Sequence, residues 1–410
     1  MRARFVIAIV LLAAAACGGT KSGTPSASST GPNGSSNAPS SGASSTAPAT
    51  NIYSEIGPDK ISPAIAGDLA RVYVPNGRSN TVSVIDPATR TVVGTFKTGA
   101  EPQHIVPSYD LKTLWELDNQ GNRLVPINAT TGERGAPIKV EDPYNLYFTP
   151  DGSSAIVVAE AFRRLDFRDP QTMELTSSLA VPGCGGINHT DYDGSGSYMI
   201  ATCEFAGKVA KIDMAARTVV GLLDLGANPV DGQPAPMPMP MPDGGVAGYM
   251  PQDVRAGPDG KHFYIADMMA GGVFVLDGDA FTVTQFIPTG IGAHGITPSR
   301  DGRSLFVANR GSDMINGAPH GPGGVSVVDV ATNSVTANWT VPGGGSPDMG
   351  NLNAAGTELW LSGRYDGEVY VFDTVNGVLT ARIPVGSGPH GLTVWPQPGR
   401  FSLGHTGNMR

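Results

Sequence analysis

Short apolar runs rich in β-branched residues, each bounded by polar and turn-forming residues, dominate the chain from residue 53 onward. Val82-Ser83-Val84-Ile85, Val273-Phe274-Val275-Leu276, Val325-Ser326-Val327-Val328 and Val369-Tyr370-Val371-Phe372 are examples. Such runs predict strands, and helical periodicity is hard to find. The strands recur in phase. Ahead of the first strand of each repeat, a polar residue follows a Pro or Gly: His104, Asn145, His189, Asp253, His294, Asp348 and His390. These positions step by 41, 44, 64, 41, 54 and 42 residues. A period near 42 with two insertions predicts four-stranded propeller blades. The third strand of each repeat ends in an Asx residue: Asp86, Asn128, Asp169, Asp213, Asp277, Asp329 and Asp373. Asx side chains close tight turns by bonding the backbone two residues on. Seven such turns predict an all-β, seven-bladed β-propeller of four-stranded blades, whose closure removes exposed sheet edges.

Closure leaves one question. His390 to Val394 reads as an inner strand supplied by the C-terminus, completing a blade whose other strands lie in 71–98. Phe401 to His405 also reads as a second strand, so either 71–75 or 401–405 must sit elsewhere.

The N-terminal end has a different character. Arg2 and Arg4 precede an apolar run, Phe5 to Ala16, that is too short to span a bilayer as a helix. Ala14-Ala15-Ala16-Cys17-Gly18 resembles the lipobox of bacterial lipoproteins. The resemblance implies a signal peptide over 1–17 with a lipidated Cys17; the alternative is an ordinary secretory signal cut near Ala16. Residues 18–52 are Ser, Gly, Thr, Ala, Pro and Asn with almost no large apolar group, and are expected to be disordered. Such a tether spans roughly 30–35 Å r.m.s.. The expected arrangement is a monomeric propeller over 53–410, lipid-anchored in the cell envelope on the outer side of the cytoplasmic membrane.

Composition agrees with strands and turns. Charged residues are 15% of the chain, with Gly 55 and Pro 34. The net charge of −9 argues against a nucleic-acid partner, which needs a basic face.

Asn76-Gly77-Arg78-Ser79-Asn80-Thr81-Val82-Ser83-Val84-Ile85-Asp86 resembles the repeat of the YVTN-type β-propeller family of surface-layer and extracytoplasmic proteins. Leu305 to Asn309, Gly324 to Asp329 and the Pro-x-His entries follow the same pattern. The resemblance covers about 60–395 and implies the fold, but no single activity. The haem-binding propeller of cytochrome-type nitrite reductases is similar at this level. No Cys-x-x-Cys-His haem attachment motif is present, however.

In a propeller the connection entering the inner strand and the loop after the second strand share one face, so chemistry is expected there. The entry ring offers His104, His189, His294 and His390 as ligands for a copper or zinc ion, with Asp253 and Asp348 as ligands or orienters. Asn145 completes that ring. A second ring outside it holds Asn76, Asp118, Glu160, Cys203 with Glu204, Asp267, Asn309 and His405, with Arg310 and Arg364 adjacent. Of these, Glu160, Glu204, Asp267, Arg364 and His405 are expected to line a funnel with Asn145. The alternative is that the histidines cap the mouth by bonding carbonyls of neighbouring blades, with no ligand.

The insertions carry Pro236-Met237-Pro238-Met239-Pro240-Met241-Pro242 and His320. A Met-rich lid would favour copper; alternating Pro-Met is equally a polyproline II strip. Cys184 and Cys203 are expected to form a disulfide outside the cytoplasm, contributing about 3 kcal/mol. The alternative makes them metal ligands beside His189 and Glu204. No His-Glu-x-x-His, Walker, dinucleotide or Gly-x-Ser-x-Gly motif is present.

Three functions remain open. The first is a binding protein presenting a His/Asp-lined funnel to a small ligand, a metal ion or a protein partner. The second is a copper- or zinc-dependent enzyme or redox protein, with Glu160, Glu204 or Asp267 moving protons. The third is a structural docking module.

Overall fold

Seven four-stranded antiparallel sheets form the blades of a β-propeller. The computed structural model describes residues 51–241, 244–315, 321–405 and 409. The expected leader with Cys17, nearly all of the tether, Pro242 and His320 lie outside these residues.

Blade 1 is built from both ends of the domain. Its inner strand is Thr393–Trp395, followed outward by Arg71–Asn76, Thr81–Asp86 and Thr91–Lys97. Blades 2 to 7 each run from the axis outward in chain order. Their inner strands are Pro102–Pro107, Pro143–Phe148, Ile187–Tyr192, Pro251–Ala256, Ala293–Pro298 and Pro347–Leu352. Residues 71–76 are therefore the second strand of blade 1.

Residues 401–405 sit elsewhere, as closure requires. Phe148 N–H donates to Leu403 O at 3.0 Å and His405 N–H donates to Leu146 O at 2.8 Å. The tail thus lies along the inner strand of blade 3. That strand has one edge bonded to its own blade, and the tail takes up the edge left over. Its strand-like pattern is real, but its partner is an inner strand and not a blade of its own.

The Asx turns form as the pattern predicts. Asp86 Oδ1 accepts from the amide of Ala88 at 2.9 Å and Asn128 Oδ1 from Thr130 at 3.0 Å. Asp169 and Asp373 likewise accept from two residues on, and Asp213, Asp277 and Asp329 from three residues on. Each turn leads to an outer strand. Outer strands such as Thr218–Asp224 and Ser334–Thr340 alternate exposed and half-buried positions, while inner strands of blades 2 to 5 and 7 are buried almost throughout. Apolar side chains from facing blades form a separate cluster at each of the seven blade interfaces. Burial at roughly 25 cal/mol per Å² makes these wedges the main source of stability.

The Met-Pro strip folds back on itself. Met239–Pro240 pairs with Val246–Ala247 as a short hairpin. Met239 and Met241 then pack with Met250, Met268, Met269, Phe205 and Ile315. The strip is held by apolar contact, and its buried sulfurs fill space as thioethers do in irregular cores. A disulfide joins Cys184 to Cys203 across 19 residues, so these sulfurs are not metal ligands.

Candidate functional site

The polar entry residues reach the axis because of a repeated irregularity. In blade 2, Pro102 faces Asp118 but His104 faces Leu117, so the inner strand holds one extra residue. The inner strands of blades 3 to 7 carry the same one-residue shift near their start. A bulge of this kind breaks strict alternation and lets consecutive side chains point the same way.

Aligning the blades on this register resolves the expected ring into two levels. The upper level is Gln103, Tyr144, Asn188, Gln252, His294, Asp348 and His390. The lower level is His104, Asn145, His189, Asp253, Gly295, Met349 and Gly391. The four histidines are therefore not equivalent: two belong to each level. Gly295 lets the backbones close in, since a Cβ there would lie 2.5 Å from Asp348 O.

Five imidazoles meet where the levels join. The ring centroid of His104 lies 4.9 Å from that of His390, 5.4 Å from His189 and 5.7 Å from His405. His294 stands 5.4 Å from His390. All five are essentially inaccessible to solvent. His405 comes from the C-terminal tail, so it stands inside the channel and not in an outer ring. Neither ring nitrogen of His104 has a hydrogen-bond partner, nor does His189 Nε2. Buried polar atoms are nearly always satisfied, so these three orphans point to a missing partner. The ligand atoms of His104, His189 and His390 all lie within 4.8 Å of one another, as do those of His189, Asp253 and His405.

Burial favours the neutral form of the imidazoles in the cage, against the pull of the nearby carboxylates. Burial, aided by the neighbouring imidazoles, holds His104 and His189 well below the usual histidine range. Burial also pushes His390 down to about 4, against the attraction of Asp348. Neutral imidazole is the form that ligates metal.

The carboxylates orient the rings. Asp348 accepts from His390 Nδ1 at 2.6 Å and from Arg310 Nε at 2.5 Å. His294 Nδ1 is 3.1 Å from Oδ1, the oxygen that Arg310 also takes. Burial opposes ionisation of Asp348, but Arg310 with His294 and His390 outweighs it and holds the carboxyl well below its usual range. The Nδ1 contact leaves His390 Nε2 aimed away, which is the usual role of a carboxylate behind a metal-binding histidine. Asp253 accepts from the amides of Val254 and Ile296, both at 2.9 Å, and lies 3.2 Å from His405 Nε2 and 3.3 Å from Arg255 Nε. Asn145 is an orienter and not a funnel wall: its Nδ2 sits 3.2 Å from His189 Nδ1.

Above the cage a funnel of about 280 Å³ opens to the outside, with His294 and His390 on its floor. Its walls carry Glu160, Glu204, Arg310 and Arg364, with Tyr144 between them. Glu160, Glu204 and Arg364 stand where the sequence reading expects them, but other members of the expected second ring are displaced by one residue. Asn76, Asp118, Asp267 and Asn309 end their second strands and brace their own blades. Asp118, for example, bonds Thr98, Gly99 and Arg123. Asp267 is no funnel residue: it accepts from the amides of Met250 at 2.9 Å and Ala270 at 2.8 Å. The residue after the second strand faces the funnel in five blades, giving Asn119, Glu160, Glu204, Arg310 and Arg364, while Met268 is buried beside Arg310. A one-residue step in a strand exchanges faces. Tyr144, Gln103 and Gln252, lining the same funnel, were missed because they precede the polar residue taken as the marker.

Burial raises the carboxyls of both Glu160 and Glu204, and their mutual proximity raises Glu160 further. Asn188, bonding Glu204 at 2.9 Å, works against the shift there.

No protein-family model matches the sequence, and neither does any curated protein. Solved structures share the fold. A functionally unknown protein from Desulfotomaculum acetoxidans superposes with a TM-score of 0.59 at 15% identity, covering 79% of this chain and all of the other. The dihydro-heme d1 dehydrogenase NirN, solved in complex with DHE, gives 0.55 at 12% identity, covering 79% and 75%. Hydrazine synthase of Kuenenia stuttgartiensis gives 0.54 at 18% identity, covering 71% and 88%. At these identities the likeness is one of fold.

Proposed function

We propose that this propeller is a metal-binding protein of the cell envelope, with one zinc or copper ion held by His104, His189 and His390. The reading rests on one observation above all: His104 is fully buried among four other imidazoles, and both of its ring nitrogens lack a partner. A histidine that only capped the mouth would bond a neighbouring carbonyl. Imidazole donors suit zinc, copper, iron and nickel, and three of them leave a coordination position open. His294 and the funnel lie beside this group of imidazoles, so a small molecule entering there would meet such an ion.

A place in the envelope is supported by the sequence alone: a lipobox-like stretch ending at Cys17, a Ser/Gly/Pro-rich segment after it, and repeats that resemble the YVTN type. A monomer is consistent with blades whose remaining sheet edges are short.

The carboxyl pair Glu160 and Glu204 supports a second reading, in which the ion does chemistry on a small molecule entering by the funnel. Elemental analysis of the full chain purified from its native envelope tests the first reading. About one equivalent of zinc or copper is expected in the native protein. A His104→Ala, His189→Ala double variant that still melts cooperatively should contain none. Turnover that depends on that metal and fails in Glu204→Gln would select the second reading.

A further inference from the structure

Arg364 stands on the funnel wall without a direct ion pair, in the longer-range field of Asp348 and Glu204. It follows the second strand of blade 7, Glu358–Gly363, at the place Arg310 holds in blade 6. The two have different surroundings. Arg310 is neutralised by Asp348 at 2.5 Å and touches Met268 Sδ at 3.4 Å. Arg364 has no carboxylate within 4.0 Å among the described residues. Its Nε is shut off from water and has no hydrogen-bond partner. Asp348, the acidic group that acts most on it, is already engaged by Arg310 and His390. The residue as a whole is half-buried, so the rest of its guanidinium reaches the funnel. A shielded guanidinium nitrogen without a partner costs free energy, which an anion bonded to it recovers.

We propose that the funnel binds a small monocarboxylate, anchored by Arg364. A guanidinium presents two parallel N–H groups that match the two oxygens of a carboxylate. Tyr144, Gln103 and Gln252 line the same space and supply further polar contacts. The cavity holds a ligand no larger than about nine waters, at about 30 Å³ each. Glu160 and Glu204 line the same funnel. They disfavour a second negative charge, so dicarboxylates and phosphate fit less well.

The inference does not depend on the metal, because Arg364 belongs to the funnel and not to the cage. It is tested on the full chain after chelator treatment, by calorimetric titration with acetate, propionate, succinate and inorganic phosphate. Acetate or propionate should bind saturably and more tightly than succinate or phosphate. Arg364→Gln should weaken that binding by roughly tenfold to a hundredfold. Arg364→Lys, which keeps the charge but not the fork, should fall between. The Gln variant should melt no lower than the wild type, since Arg364 makes no ion pair to lose. Absence of saturable carboxylate binding, equal binding by the Gln variant, or tighter binding of phosphate would each overturn the inference. A metal-free protein that binds acetate but never takes up zinc or copper would sink the metal reading and leave this one standing.

Discussion

Replacing Leu403 with Ala should loosen the tail that brings His405 into the channel. Leu403 is 1% exposed and packs with Tyr147, Phe167 and Tyr192 at the interface of blades 3 and 4. Leu→Ala at such a site costs about 2.7–5 kcal/mol if the surroundings stay in place, combining lost transfer energy and a cavity. A terminal segment has a second option, which is to peel away. Peeling would forfeit the burial of Leu403 and Met409, at about 1.5–3 kcal/mol each. It would also lose the backbone bonds of residues 402, 403 and 405, about 1 kcal/mol each. Each freed residue would recover about 1–2 kcal/mol of backbone entropy, so detachment costs less than its contacts suggest. A loss of about 3 kcal/mol is expected. The folded unit has roughly 360 residues, and unfolding entropy is about 2.1 cal/mol/K per residue, so Tm should fall by about 4 °C. Thermal melting measures this directly. Trypsin provides an independent readout, because Arg400 is exposed beside the tail. Cleavage after Arg400 should be much faster in the variant. Val375→Ala, at a residue 87% exposed, should change neither. A variant that melts within about 1 °C of the wild type and resists trypsin equally would refute the packed-tail account.

Other substitutions probe the parts separately. Asp348→Asn would leave Arg310 buried without a counter-charge and should cost about 3–5 kcal/mol in chemical unfolding, with zinc or copper affinity reduced roughly 10- to 100-fold as His390 loses its orienter. Glu116 is buried beside Asp118, and its carboxyl is pushed up to about 9, by burial first. Its folded state therefore holds a proton more tightly than the unfolded chain, and stability should fall as pH rises between about 4.5 and 9. Glu116→Gln should remove that slope, gaining most over the wild type at pH 8–9 in Tm measurements; parallel pH profiles would contradict the assignment. Cys184→Ala with Cys203→Ala should lose about 3 kcal/mol by opening the loop, and reductant should then no longer lower the melting temperature.

Much of this architecture is legible in the chain because a propeller repeats its local rules. The Asx turn after each third strand is a side-chain to backbone bond set by neighbours two or three residues away, so Asp86 and its six counterparts mark the blades. The interior is harder to read. A single extra residue in each inner strand decides whether His104 or Gln103 is the deeper side chain, and nothing in spacing announces a bulge. The same one-residue ambiguity put Asp267 in the funnel, when its short side chain bonds amides next to its own turn. His405 is the least legible. Its position depends on pairing between the tail and blade 3, far apart in sequence, and no repeat carries that contact.

The central claim is that buried imidazoles from three blades hold one metal ion. Calorimetric titration of zinc or copper(II) into the chelator-treated full chain tests it most directly. Three variants complete the comparison: His104→Ala, His189→Ala and the exposed control His262→Ala. The account predicts one saturable site in the wild type and in His262→Ala, lost in the other two while their folds persist by circular dichroism. Equal binding by all four proteins, or none in the wild type, would contradict it.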